Sequence, residues 1–306
     1  MTIRLSVERT IGDGYIFAFT QFLSVLGTVW LPYLLLAAAT VGLVLVAMPD
    51  LPRMVVMNEL DVPGLLRLGR IAVLVGILGF IADAMVAVGL QRKALGLHPR
   101  PVYAWFSLGA AVWRMAAALF LAMLVIFFIV LLTGGVCVAI WFAAQGLGGA
   151  MWFVRVLNVC AGAAFVFYIA VRLLFFLPAV VVAEETIGLE RAWILGGHNF
   201  WRVVIVVIAV VVPVAIGFHI LSWAIFGPFA VLPAMGHMSL REITRGVLLQ
   251  FGAVGPFVLL FQLLERIVLL GVINGVVASA YLAVSGKKPG LAPASPVSRP
   301  GPDAAA

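Results

Sequence analysis

Long apolar runs separated by short clusters of charge set the pattern of this chain. Gly14 to Pro49, Met115 to Val154 and Val203 to Leu240 contain no charged residue. Each is far longer than the roughly 20 residues that carry a helix across a hydrocarbon core. Ile71 to Gln91 is apolar apart from Asp83, Val156 to Ala183 apart from Arg172, and Ile267 to Gly286 has no charge. The segments lack two-residue alternation, which excludes a closed membrane barrel. The pattern predicts an all-α polytopic membrane protein of six transmembrane helices, near 23–47, 71–90, 115–142, 156–182, 203–225 and 265–285, forming one domain over 1–285. Residues 286–306 are rich in Pro, Ala and Gly without an apolar period and read as a disordered tail.

Residues 246–264 are also apolar, but only Glu265 and Arg266 separate them from the last span, which leaves no room for a hairpin. The expectation is that they continue that helix outward. Gly252, Gly255 and Pro256 keep a kinked or re-entrant segment open, and a seventh span is the remaining alternative.

Composition fixes the solvent. Of 306 residues, 65% are hydrophobic and 10% charged, with mean hydropathy +1.22, whereas soluble domains are about half apolar and a quarter charged. The net charge of +7 does not point to nucleic acid, because the basic residues are scattered between apolar runs and form no dense patch. They read as topology signals. With both termini on one side, that side carries Arg4, Arg9, Arg92, Lys93, Arg100, Arg114, Arg191, Arg202, Lys287, Lys288 and Arg299. The other carries Arg53, Arg67, Arg70, Arg155, Arg241 and Arg245, three of them in a loop read over 49–70. The positive-inside rule then places both termini in the cytoplasm. Because the first apolar run exceeds a signal-peptide core, it reads as a retained segment. Cys137 and Cys160 have no metal-ligand neighbour and read as small core hydrophobes.

Two polar segments share one pattern. AWFSLGAAVWR at 104–114 and AWILGGHNFWR at 192–202 both read A-W-x3-G-x3-W-R, and each leads into an uncharged span. The pattern predicts an amphipathic helix at the interface before each span. Trp105, Trp113, Trp193 and Trp201 would lie at headgroup depth, with Arg114 and Arg202 meeting lipid phosphate. Ordinary aromatic belts with snorkelling arginines are the alternative. Val7, Ile11, Tyr15, Ala18 and Phe22 recur at helical spacing and suggest a third, divergent copy.

Candidate chemistry is sparse. Asp83 and Arg172 fall inside spans at nearly matching places ahead of the two copies, so they are expected to pair inside the bundle, unless Asp83 is protonated. Such a pair serves either as a structural bridge or as a polar site for an ion, a proton or a lipid headgroup. Glu265 and Arg266 are expected to snorkel. Pro32, Pro178 and Pro213 imply kinks, which in transporters mark broken helices at a binding site. His98, His198, His219 and His237 have no ligand partner at helical spacing, and Glu184, Glu185 and Glu190 beside Arg191 read as a solvated loop face. No phosphate-cradling glycine motif is present. The expectation is therefore no catalytic site, no metal and no cofactor.

The stretch RLLFFLPAVVVAEETIGLERAWILGGHNFWRVVIVV, residues 172–207, resembles the membrane domain attached to some bacterial glycerophosphoryl diester phosphodiesterases, and related stand-alone inner-membrane proteins. The matching features are Arg172 in the fourth span, Pro178, the glycine-led helix 188–197, and Phe200, Trp201 and Arg202 at the start of the fifth span. The resemblance implies a six-span plan in a bacterial inner membrane. The chain has no room for the soluble barrel that holds the phosphodiesterase chemistry, and the acid and histidine ligands of that barrel are absent. The expected function is a non-catalytic, lipid-interacting or scaffolding inner-membrane protein, its partners membrane lipids. The alternative is a small-molecule or lipid transporter using Asp83 and Arg172.

Overall fold

A computed structural model describes residues 5–47, 62–98, 100–143, 151–226 and 240–286. Among them lie nine helices and no strand: α1 (Val7–Thr20), α2 (Phe22–Ala47), α3 (Val62–Ala94), α4 (Ala110–Ala143), α5 (Met151–Leu174), α6 (Leu177–Glu184), α7 (Leu189–His198), α8 (Phe200–Phe226) and α9 (Leu240–Ser285). Among the described residues, six stretches are long and apolar enough to cross a membrane: Phe22–Val46, Gly69–Ala94, Ala110–Ala143, Trp152–Glu184, Phe200–Ile225 and Leu260–Ser285. The chain is thus an all-helical, multi-pass membrane protein. The tail expected to be disordered lies outside the described residues beyond Gly286, as do Arg4, Arg53, Lys287, Lys288 and Arg299.

Several boundaries differ from those drawn at the charges. Helix α3 starts at Val62, so Arg67 and Arg70 are helical rather than part of a loop over 49–70. The leucine-rich sequence there favours helix, and Pro63 falls in the first turn, where its missing N–H costs nothing. Helices α4 and α8 begin at Ala110 and Phe200, so Arg114 and Arg202 sit within helices. Neither AAVWR nor FWR contains a helix breaker; a charge marks polarity, not an end.

The fourth span is broken. Helix α5 ends at Leu174 and α6 restarts at Leu177, with Pro178 in its first turn. Proline there removes a donor and crowds the preceding turn. Pro32 and Pro213, by contrast, remain inside unbroken α2 and α8. The last span is one helix of 46 residues, roughly 69 Å at 1.5 Å per residue. Residues 246–264 therefore continue it, with neither a re-entrant turn nor a separate seventh helix.

Packing is uneven along the bundle. Buried side chains gather where Ala84, Met85 and Val88 of α3, Met115 and Ala118 of α4, Leu177 to Val182 of α6 and Val272 to Tyr281 of α9 meet. This half lies towards α1 and the C-terminal end of α9, hereafter the terminal side. Helix α1 packs on α9 there, and the crossing is close because Gly14 and Gly275 face each other. A Cβ on Gly275 would sit 3.1 Å from Gly14 Cα. Towards the far side, Phe127, Phe128, Leu131, Leu132, Trp152 and Phe153 are exposed, a surface suited to lipid tails.

Candidate functional site

Asp83, the one charge in the middle of α3, is held from two helices at once. Arg266 of α9 donates from Nη2 to Asp83 Oδ1 at 2.8 Å, and Tyr33 of α2 donates its hydroxyl to the same oxygen. The Arg266 guanidinium also lies over the Tyr33 ring, 4.5 Å from its centroid. The ion pair is not sealed in: the side chains are 49% exposed for Asp83 and 52% for Arg266. They border a cavity of about 500 Å³.

The cavity has two unlike walls. Tyr33, Asp83, Gln91, Arg266 and Asn274 stand among apolar side chains of α3 and α9 on the α2, α3 and α9 side, whereas Leu119, Phe167, Val171, Leu174, Phe175, Pro178 and Val207 line a wholly apolar side built by α4, α5, α6, α8 and the break before α6. The polar wall has two levels. Gln91 follows Asp83 and Asn274 follows Arg266 by about 12 Å of helix rise towards the terminal side. Gln91 Nε2 donates to Asn274 Oδ1 at 2.9 Å, and Asn274 Nδ2 donates to the Leu270 carbonyl at 2.8 Å. Gln91 is fully buried, and its Oε1 has no hydrogen-bond partner among the described residues.

Arg172 does not meet Asp83, contrary to the expected pairing. Helix α3 packs chiefly on α2, α4, α6 and α9, while α5 lies against α4 and α7. Arg172 therefore turns to α7: Nη1 donates to the Tyr168 hydroxyl at 2.6 Å and Nη2 to the Trp193 carbonyl at 3.2 Å. Its guanidinium stacks 3.9 Å from the Trp193 ring centroid. The close seat depends on Gly196, where a Cβ would stand 2.7 Å from the Arg172 carbonyl oxygen. Arg266 was expected to snorkel and instead takes the pairing role assigned to Arg172.

The two copies of the Trp and Arg pattern fold differently. Only 192–198 of the second copy is helical ahead of its span, as part of α7; the start of the first belongs to a non-helical strap, residues 101–108, across α2. The Trp105 amide donates to the Gly27 carbonyl at 3.1 Å, and Trp30 Nε1 donates to the Tyr103 carbonyl at 2.8 Å. Pro101 forces Arg100 out of the helical region, which starts the strap extended. Trp105 packs edge-on to His98, at 6.1 Å between ring centroids, and against Gly89, so it is not a lipid-facing belt residue. Trp193 is occupied under Arg172. Trp113 and Trp201 are the exposed members, at 54% and 72%.

Both arginines of the pattern are engaged in protein contacts. Arg202 Nη1 donates to the Leu5 carbonyl at 2.6 Å while Asn199 Oδ1 accepts from the Leu5 amide at 3.2 Å, which clamps the chain just before α1. Arg114 donates to the Glu185 carbonyl and pairs with its carboxylate at 3.6 Å. Glu184 accepts from the Tyr281 hydroxyl at 2.8 Å and faces Arg191 at 3.6 Å, so it ties elements together, whereas Glu185 and Glu190 are exposed and Glu190 sits in the first turn of α7. A second cavity, about 550 Å³, lies between α1 and α9, lined by Ser6, Arg9, Thr10, Asp13 and Ser279, with Ser279 donating to Asp13 at 2.7 Å.

No protein-family model, curated protein or solved structure matches this chain. Sequence reasoning missed Tyr33, Gln91 and Asn274. The signal available was a tyrosine and two amides inside otherwise apolar runs, each needing a partner once water is gone.

Proposed function

We propose that the protein is a non-catalytic, lipid-binding protein of a bacterial inner membrane, with cytoplasmic termini, that holds an amphiphile in the cavity beside Asp83 and Arg266. The observation that carries this reading is a half-exposed ion pair on one wall of a cavity whose opposite wall is apolar, in a bundle of spanning length. Facing acyl chains alone, such a pair is costly; a polar head against it, with its tail along the α4, α5 and α8 wall, removes that cost. The volume and the few polar groups on one wall are those of a small-ligand site. Membrane lipids are the partners this implies, with Trp113 and Trp201 at the bilayer interface.

The test is native mass spectrometry of protein released from mild detergent. Wild type is compared with Ala170→Phe and Ala87→Phe, which fill the cavity from opposite walls. Retention of one lipid class by wild type and its loss from both variants supports the reading; equal retention places the lipid elsewhere.

Transport of a small molecule or lipid is the second reading, favoured by the break of the fourth span at Pro178, which itself lines the cavity. In a background without Cys137 and Cys160, labelling of Ala170→Cys by impermeant reagents from each side of the membrane supports transport. Access from the bilayer alone supports binding.

A further inference from the structure

The amide chain at the terminal-side end of the cavity has a fixed direction. A backbone carbonyl only accepts, so Asn274 must present Nδ2 to Leu270 and Oδ1 to Gln91. Gln91 must then donate through Nε2, and the atom left over is Oε1, an acceptor. That oxygen is buried and without a partner among the described residues, on a side chain that borders the cavity. A buried acceptor in this state keeps its desolvation cost uncompensated and calls for a donor. The second constraint is charge: among the described lining residues the charged ones are Asp83 and Arg266, one of each sign and already paired. A ligand with net charge would bring an uncompensated ion between apolar helices.

We propose that the cavity selects a net-neutral amphiphile whose head carries a hydroxyl, donated to Gln91 Oε1. This rests on the reading of the cavity as an amphiphile site and narrows it to a class. The head lies along the α3 and α9 wall and the tail along the apolar wall. Fatty-acid anions and lipids lacking a donor are disfavoured.

Three probes separate these requirements: monooleoylglycerol, its bis-O-methyl ether, which keeps the acceptors and removes both donors, and oleate. Their displacement of one another from wild-type protein is followed by native mass spectrometry. Monooleoylglycerol is expected to bind about two- to twelvefold more tightly than the ether, the range of one neutral hydrogen bond, and more tightly than oleate. Gln91→Met, close in length and without the acceptor, is expected to bind both neutral probes alike. The wild-type comparison needs no variant, so a folding defect in Gln91→Met leaves the proposal testable. Equal binding of monooleoylglycerol and ether by wild type, or preference for oleate, overturns the proposal while leaving the cavity as a binding site. Binding that Ala170→Phe and Ala87→Phe do not reduce overturns the cavity reading and this proposal with it.

Discussion

Arg266 lies 2.8 Å from Asp83, joining α9 to α3, and Tyr33 closes the same oxygen from α2. Three helices that enter the bundle at opposite ends of the chain thus share one carboxylate. Asp83→Leu or Arg266→Leu alone is expected to lower stability by about 1–3 kcal/mol, because each leaves the other charge among apolar helices. The double variant is expected to lose less than the sum, with a coupling of about 1 kcal/mol. Unfolding in mixed micelles titrated with SDS reads all four proteins; additive losses would mean that the pair contributes nothing of its own. The same cycle with Arg172→Leu in place of Arg266→Leu is expected to be additive, since Arg172 meets Tyr168 and Trp193 instead.

Glycines at neighbouring places in the two Trp and Arg patterns are expected to respond differently to substitution. Gly196→Ala drives a methyl group against the Arg172 backbone, 2.7 Å from its carbonyl oxygen, and is expected to cost about 1–3 kcal/mol. At Gly109, which the pattern aligns with the neighbouring Gly197, a Cβ would meet nothing nearer than Ser107 Oγ at 3.5 Å. Gly109→Ala is expected to stay within about 0.5 kcal/mol of wild type. Thermal unfolding in detergent orders the two, and equal losses would refute the distinction.

This divergence shows where sequence reading works and where it stops. Spans are legible because the bilayer demands length and apolarity, which are properties of one segment at a time. Asp83 is legible as a costly charge for the same reason. Its partner is not: whether α3 meets α5 or α9 depends on how helices far apart in the chain pack, and Arg266, next to Glu265, looks like an interfacial residue. Pro99 and Pro101 are the local signal that the first pattern leads in extended rather than helical, and the shared tryptophans obscured it. Gln91 is masked by its neighbours Arg92 and Lys93, which suggest solvent, although it is fully buried.

The strap over α2 yields its own test. The Trp105 amide bonds to Gly27, and Gly27 leaves space for the strap: a Cβ there would stand 2.8 Å from Tyr103 Cα. Gly27→Leu is expected to lift residues 102–105 off α2. Amide exchange followed by mass spectrometry is expected to show at least a tenfold loss of protection at Trp105, equivalent to about 1.4 kcal/mol of local opening. Unchanged protection would mean that the strap is held elsewhere.

The clamp on Leu5 separates a structural from a lipid role for Arg202. With Nη1 on the Leu5 carbonyl and Asn199 on its amide, Arg202→Ala is expected to free the chain before α1 and speed trypsin cleavage at Arg4 or Arg9 several-fold. Asn199→Ala is expected to act in the same direction. A lipid-contact role predicts instead that Arg202→Ala changes retained lipid and leaves cleavage rates alone, while Asn199→Ala changes neither.

Glu184 joins α9 to the exposed connection after α6, and its contacts with Tyr281 and Arg191 are unequal in surroundings. The Tyr281 side chain is fully buried and its hydroxyl donates to the carboxylate at 2.8 Å, whereas Arg191 faces the same oxygen at 3.6 Å with its own side chain 46% exposed. A hydrogen bond to a charged group away from water contributes about 1.5–3 kcal/mol, and an exposed ion pair about 0–1 kcal/mol. Tyr281→Phe, which keeps the ring and removes the donor, is therefore expected to destabilise more than Arg191→Ala, and added salt is expected to shrink only the Arg191 effect. Chemical unfolding of both variants at low and high salt measures the order. A larger loss from Arg191→Ala would mean that the surface pair, not the buried tyrosine, holds this connection against α9.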